Sequence, residues 1–153
     1  MMQEEYLSNE YFMRQALAEA QKAFEAGEVP VGAVIVANQT IIARAHNLTE
    51  TLNDVTAHAE MQVITAATNY LGGKYLYDCI LYVTLEPCNM CAGAIFWAQL
   101  GMLIFAASDP KRGYRLTNSP LLHPKTEVIS GILESDAEYL LKNFFALKRK
   151  TNM

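Results

Sequence analysis

A mixed α/β fold, with a sheet of about five strands between helical layers, is what this sequence predicts. Three observations predict it. One hairpin signal comes early, and short apolar, β-branched runs then alternate with stretches of helical spacing. The two segments richest in metal-ligating residues each open a helix beside a strand end, where such sheets place their sites. The chain is 153 residues long and 52% hydrophobic, enough for one core, so residues 1–153 are expected to form a single domain.

The elements follow in order. Met13, Ala16, Leu17, Ala20 and Phe24 keep one helical face, and Gly27 supplies a stop. Val31–Ala37 and Ile41–Ala45 flank Asn38-Gln39 and read as a hairpin. Thr56 is placed to cap a helix running from His58 to Asn69 and ended by Gly72-Gly73. Cys79–Leu85 is apolar on both faces, the mark of a central strand. Pro87 suits the start of a helix through Trp97, and Met102–Ala107 is the fourth strand. A polar loop with Lys111, Arg112 and Arg115 follows, then a fifth strand over Glu127–Leu133. Ser135-Asp136-Ala137-Glu138 matches a capping box, opening a last helix that ends in Lys148-Arg149-Lys150.

Composition narrows the function. Twelve Lys and Arg against sixteen Asp and Glu give a net charge of −4, which excludes indiscriminate nucleic-acid binding through a broad basic surface. RNA must then be read through local basic clusters. The acidic start, Met1-Met2-Gln3-Glu4-Glu5, has no apolar core and does not read as a signal peptide. Met90–Ala107 holds one strongly polar side chain, Gln99, and just reaches membrane-spanning length; Gly101 divides it, so it reads as a buried helix followed by a buried strand. Three cysteines clustered in one stretch favour a reducing cytoplasm over a disulfide framework.

Two segments carry the chemistry: Thr56-Ala57-His58-Ala59-Glu60 and Pro87-Cys88-Asn89-Met90-Cys91. Cys88 and Cys91, three residues apart at a helix start, put both sulfurs on one face, and the positive helix end favours their thiolates. With a His58 nitrogen they offer three ligands to one Zn²⁺ per chain and leave its fourth tetrahedral position for water. Glu60 lies two residues beyond His58, near the metal without having to bind it. There a carboxylate can move protons between water, ring nitrogen and leaving ammonia. His-x-Glu with Pro-Cys-x-x-Cys is the signature of zinc deaminases acting on nucleobases. The competing reading is a structural zinc with Cys79 as fourth ligand, which makes the chain a non-catalytic binding domain and leaves Glu60 without a purpose.

Val29-Pro30-Val31-Gly32-Ala33-Val34, Thr56–Glu60, Thr84-Leu85-Glu86-Pro87-Cys88-Asn89-Met90-Cys91-Ala92-Gly93-Ala94 and Phe144-Phe145 resemble the bacterial tRNA-specific adenosine deaminases, across nearly the whole chain. The resemblance implies a three-layer α/β/α, cytidine deaminase-like fold, a homodimer, and conversion of adenosine to inosine at the wobble position of an arginine tRNA. By position it implies zinc on His58, Cys88 and Cys91, a proton shuttle at Glu60, and a substrate pocket from Asn47, Ala57, Val29 and Pro87, with the Cys88 N–H helping to hold the base. Val55 departs from the family's usual proline, and the Lys111–Leu122 loop differs from better-known members. Expected RNA contacts are Lys111, Arg112 and Arg115 in that loop and Phe145, Lys148, Arg149 and Lys150 at the C-terminus. A free-base or nucleoside deaminase for guanine, cytosine or cytidine shares the motif and is the alternative. Ala92, Gly93 and Ala94 permit close approach while Ile95, Phe96 and Trp97 crowd apolar area onto one helix, which suits a dimer interface.

Overall fold

The computed structural model describes residues 7–151; the acidic segment read above as lacking a signal peptide lies outside them. Helix α1 (Asn9–Glu25) starts where the Ser8 hydroxyl oxygen accepts the Tyr11 N–H at 3.1 Å. Strands β1 (Gly32–Ala37) and β2 (Thr40–His46) form the expected hairpin, and its two turn residues, Asn38 and Gln39, both take positive φ (48° and 63°). That left-handed pair matches the twist of the flanking strands. Helix α2 (Ala59–Leu71), strand β3 (Cys79–Leu85), helix α3 (Asn89–Ala98), strand β4 (Met102–Ala107), strand β5 (Glu127–Ser130) and helix α4 (Glu134–Thr151) complete the order.

The five strands lie in the order β2-β1-β3-β4-β5. β1 is antiparallel to both β2 and β3, whereas β3, β4 and β5 are parallel, so the sheet is mixed as expected. The parallel step from β3 to β4 is bridged by α3, and the central strands are covered on both faces. On one face Ala33, Ile35, Leu81, Val83, Leu103 and Phe105 meet Ala59 and Val63 of α2 and Ala92 and Ile95 of α3. On the other, Val34, Val36, Tyr82 and Ile104 meet Phe12, Met13 and Ala16 of α1 and Ala137 of α4. Gly32 is needed for this packing: a Cβ there would overlap the Ala16 carbonyl and the Ala20 nitrogen of α1.

Three local expectations are corrected. α2 begins on His58 as N-cap, not on Thr56, whose hydroxyl and N–H both donate to the Asp54 carboxylate at 2.7 and 2.8 Å. β5 stops at Ser130 because Gly131 and Leu133 turn the chain through positive φ (88° and 57°). α4 then starts at Glu134, which puts Ser135 inside its first turn and not at the cap of a capping box. Among the described residues no helix is long and apolar enough to cross a membrane, in line with the division of Met90–Ala107 into α3 and β4.

Candidate active site

The ends of β2 and β3, the approach to β1 and the N-termini of α2 and α3 meet at one edge of the sheet. Gly32 N–H donates to the Thr84 hydroxyl at 3.1 Å, and Asn47 N–H to the Val31 carbonyl at 3.0 Å, which joins the three strands there. His58 is the N-cap of α2 and Cys88 the N-cap of α3, so both helices point their positive ends at the same spot.

His58, Cys88 and Cys91 come together, with their ligand atoms all within 4.8 Å of one another. His58 Nδ1 lies 3.7 Å from Cys88 Sγ and 3.5 Å from Cys91 Sγ. A tetrahedral zinc with ordinary Zn–N and Zn–S lengths requires N···S edges of about 3.5 Å. The trio thus fits such an ion in both donor type and spacing. Cys79 is not in the group: it starts β3, and the seven-residue strand carries it about 20 Å from the end that holds Cys88. The structural-zinc alternative loses its fourth ligand on that distance.

Protons bind the trio to itself. Hydrogen bonds from Cys91 and then from His58 pull the Cys88 thiol down to about 4. The same contact with Cys88, together with burial and the nearby Glu60, pushes Cys91 far above its usual range, and the bond to Cys88 raises His58. A divalent cation replaces such shared protons, so its uptake releases them. Glu60 is 4% exposed and lies beside Cys91 and His58. Burial lifts its carboxyl from 4.5 to about 7, where it can hold or release a proton near neutrality.

The remaining expected residues surround this centre. Asn47 is 8% exposed, and its amide is oriented at both ends: Nδ2 donates to the Val29 carbonyl and Oδ1 accepts the Thr49 N–H, both at 3.3 Å. Ala57 is buried with its main chain committed, the N–H to Asp54 and the carbonyl to Leu48 N–H at 3.0 Å. The Cys88 N–H has no protein acceptor among the described residues. Pro87 is buried, and its carbonyl accepts the Tyr114 N–H at 2.9 Å.

The basic residues divide. Lys111 and Arg112 are exposed, and both of their backbone N–H groups donate to the Asp109 carboxylate. Arg115 is engaged differently from expectation: its guanidinium pairs with the buried Glu86 at 3.3 Å, donates to Ser108 at 2.7 Å and lies 4.8 Å above the Phe105 ring. Phe144 is core, whereas Phe145 is 44% exposed, and Lys148, Arg149 and Lys150 are all exposed.

Three residues that sequence reasoning missed hold the site in place. Glu86 accepts the N–H groups of Asp109 and Arg115 and fills the space a Cβ on Gly113 would need. Gln62 Nε2 donates to the carbonyls of His46 (2.7 Å) and Ala57 (3.0 Å). Glu28 is fully buried beneath the loop after Asn47. The available signal was a charged residue between apolar neighbours at a strand end, as in Leu85-Glu86-Pro87.

Comparison with known proteins agrees with this geometry. The model of the MafB19-like deaminase family matches residues 7–149. A tRNA-specific adenosine deaminase of Bacillus subtilis is 48% identical over 147 residues, 93% of this chain and 91% of its own. A solved structure from studies of A-to-I editing by tRNA:A34 deaminases at the wobble position of transfer RNA superposes with a TM-score of 0.80 at 47% identity, covering 86% of this chain and 99% of its own. A guanine deaminase of Bacillus subtilis shares 44% identity over 67% of this chain and 66% of its own, with a TM-score of 0.64. With identity of this order along almost its entire length, the chain belongs to the tRNA-specific adenosine deaminase family.

Proposed function

We propose that this chain is a single deaminase domain that converts adenosine to inosine at the wobble position of a tRNA anticodon, an arginine tRNA by the family resemblance, in the cytoplasm. The observation that carries the reading is a buried Glu60 beside a His58–Cys88–Cys91 group of zinc-like spacing, in a chain with these relatives. The three ligands would hold one zinc ion, which when bound supplies the Lewis acidity that makes a water nucleophilic at neutral pH. Glu60 would carry one proton of the attacking water to the ring nitrogen as oxygen bonds to C6, and the second to the exocyclic amino group, whose bond to C6 then breaks to release ammonia. Asn47, held by Val29, grips the flipped nucleotide, while Ala57, Val29 and Pro87 wall the pocket and the Cys88 N–H faces the base. A buried carboxyl beside such a trio, raised by desolvation, suits proton transfer and favours chemistry over a binding module.

The alternative is deamination of a free base such as guanine or cytosine, or of cytidine, and the guanine deaminase likeness favours keeping guanine in the test. Incubating the protein with an anticodon stem-loop carrying adenosine at the wobble position, and separately with guanine, cytosine and cytidine, decides it. Inosine in the RNA supports the proposal, and ammonia from a free base or nucleoside alone overturns it.

Flipping a base costs a few kcal/mol, which contacts to RNA must offset. Lys111, Arg112, Phe145, Lys148, Arg149 and Lys150 are the exposed candidates, and Arg115 contributes only if it leaves Glu86. Phe144 of α4 meets Phe24 of α1 at 5.9 Å, which holds the last helix against the first and leaves its basic end exposed. Changing Lys148, Arg149 and Lys150 together to alanine should raise KM for the stem-loop and flatten its salt dependence, because each phosphate left unneutralised keeps about one counterion that binding would otherwise release. Zinc content should not change. Wild-type binding across a salt series would remove α4 from the interface.

We also propose a homodimer through α3. Trp97 is 76% exposed, Met90 is exposed, and Gly93 faces open space. Large apolar side chains left at the surface beside a small residue mark a contact face. Sedimentation at micromolar concentration should give a species of twice the 17.1 kDa chain. A single-chain mass there would count against this interface.

A further inference from the structure

Glu28 stands between α1 and β1 with 0% of its surface exposed. Among the described residues it has no cationic partner. It is met instead by four donors from one loop. Oε1 accepts the Glu50 N–H at 3.0 Å and the Thr49 hydroxyl at 3.5 Å; Oε2 accepts the Thr51 N–H and the Thr51 hydroxyl, both at 2.7 Å. Burial alone would raise this carboxyl, but the Thr51, Glu50 and Thr49 donors outweigh it and hold the group below its ordinary value. The loop is the one that begins at Asn47 and closes on itself before His58: Leu48 N–H reaches the Ala57 carbonyl, and Asp54 N–H the Thr49 carbonyl, each at 3.0 Å. The next residue, Val29, receives the Asn47 amide.

We propose that Glu28 is a positioning residue for the substrate pocket, an ionised carboxylate around which the 47–54 loop is wound so that Asn47 is presented in one orientation. This rests on the function proposed above. The side chain touches neither the metal group nor Glu60, so its effect should fall on binding more than on chemistry. The requirement for a carboxylate is specific. Each oxygen takes one backbone N–H, and backbone N–H groups cannot reverse. A glutamine in either amide orientation sets an NH₂ against one of them and leaves a buried donor unsatisfied.

Glu28→Gln and the milder Thr51→Val, which deletes one hydroxyl donor and keeps the backbone, provide the test. Kinetics on the stem-loop, zinc content and amide exchange are read on the full chain. Glu28→Gln should raise KM about tenfold with kcat little changed and zinc retained, and should speed exchange of the Glu50 and Thr51 amides about tenfold while α2 amides keep their protection. Thr51→Val should move both readouts in the same direction by less. If Glu28→Gln does not fold, Thr51→Val decides alone. Unchanged exchange and KM overturn the proposal, as does a loss confined to kcat or accompanied by loss of zinc. If wild-type protein leaves the stem-loop unmodified, the proposed function fails, and the exchange measurement still reports whether Glu28 holds the loop.

Discussion

Glu60→Ala is expected to abolish deamination, by about 10²–10⁴-fold or more as an order of magnitude for a lost general acid–base group, and to leave zinc content unchanged. The carboxyl sits beside Cys91 and His58 without belonging to the trio whose spacing fits a metal, so its removal spares the ligands. Its elevated pKa also fixes the sign of a stability effect. In the metal-free chain the folded value of about 7 exceeds the ordinary 4.5, so the contribution of Glu60 is fully present below about 4.5 and is lost as pH rises through 7. Glu60→Ala should therefore flatten that part of the stability profile. Measured turnover near wild type in the variant would show that another group carries the protons.

Replacing Cys88 and Cys91 together by alanine should remove both the metal and the activity. Their two sulfurs are two of the three proposed ligands, and removing both leaves only the His58 nitrogen where zinc sites use three or four. Elemental analysis should find about one zinc per wild-type chain and almost none in the double variant. Full zinc in that variant would place the metal elsewhere. Cys79→Ala serves as the contrast: it is a buried core residue at the far end of β3 and should cost packing but no metal.

The elements that were legible from the sequence are those whose signal is local. The Asn38-Gln39 turn, the apolar run Cys79–Leu85 and the close spacing of Cys88 and Cys91 each announce themselves within a few residues. What escaped notice depends on partners brought in from afar. Glu28 bonds to residues 21 to 23 positions later, and Glu86 to residues 23 and 29 positions later. A carboxylate with no visible mate reads as surface until folding supplies its donors. The Arg115–Glu86 pair went unseen for the same reason, since a basic residue in a polar loop reveals nothing of a buried acid beneath it. The cap of α2 was misplaced because His58 occupies a position that a hydroxyl residue usually fills.

That substitution at the helix starts reaches into folding thermodynamics. α2 and α3 both begin on members of the proposed metal trio, His58 and Cys88, and neither makes the side-chain cap bond that an ordinary N-cap residue contributes, a term of about 1 kcal/mol per helix. An ion that binds the folded chain and not the unfolded one adds RT ln(1 + [L]/Kd), about 2.7 kcal/mol at a hundredfold excess over Kd, which exceeds the two missing caps combined. On the proposed zinc binding, the melting temperature should rise with free zinc. A chelator should then act as a mild denaturant, loosening the two helix starts that frame the proposed pocket.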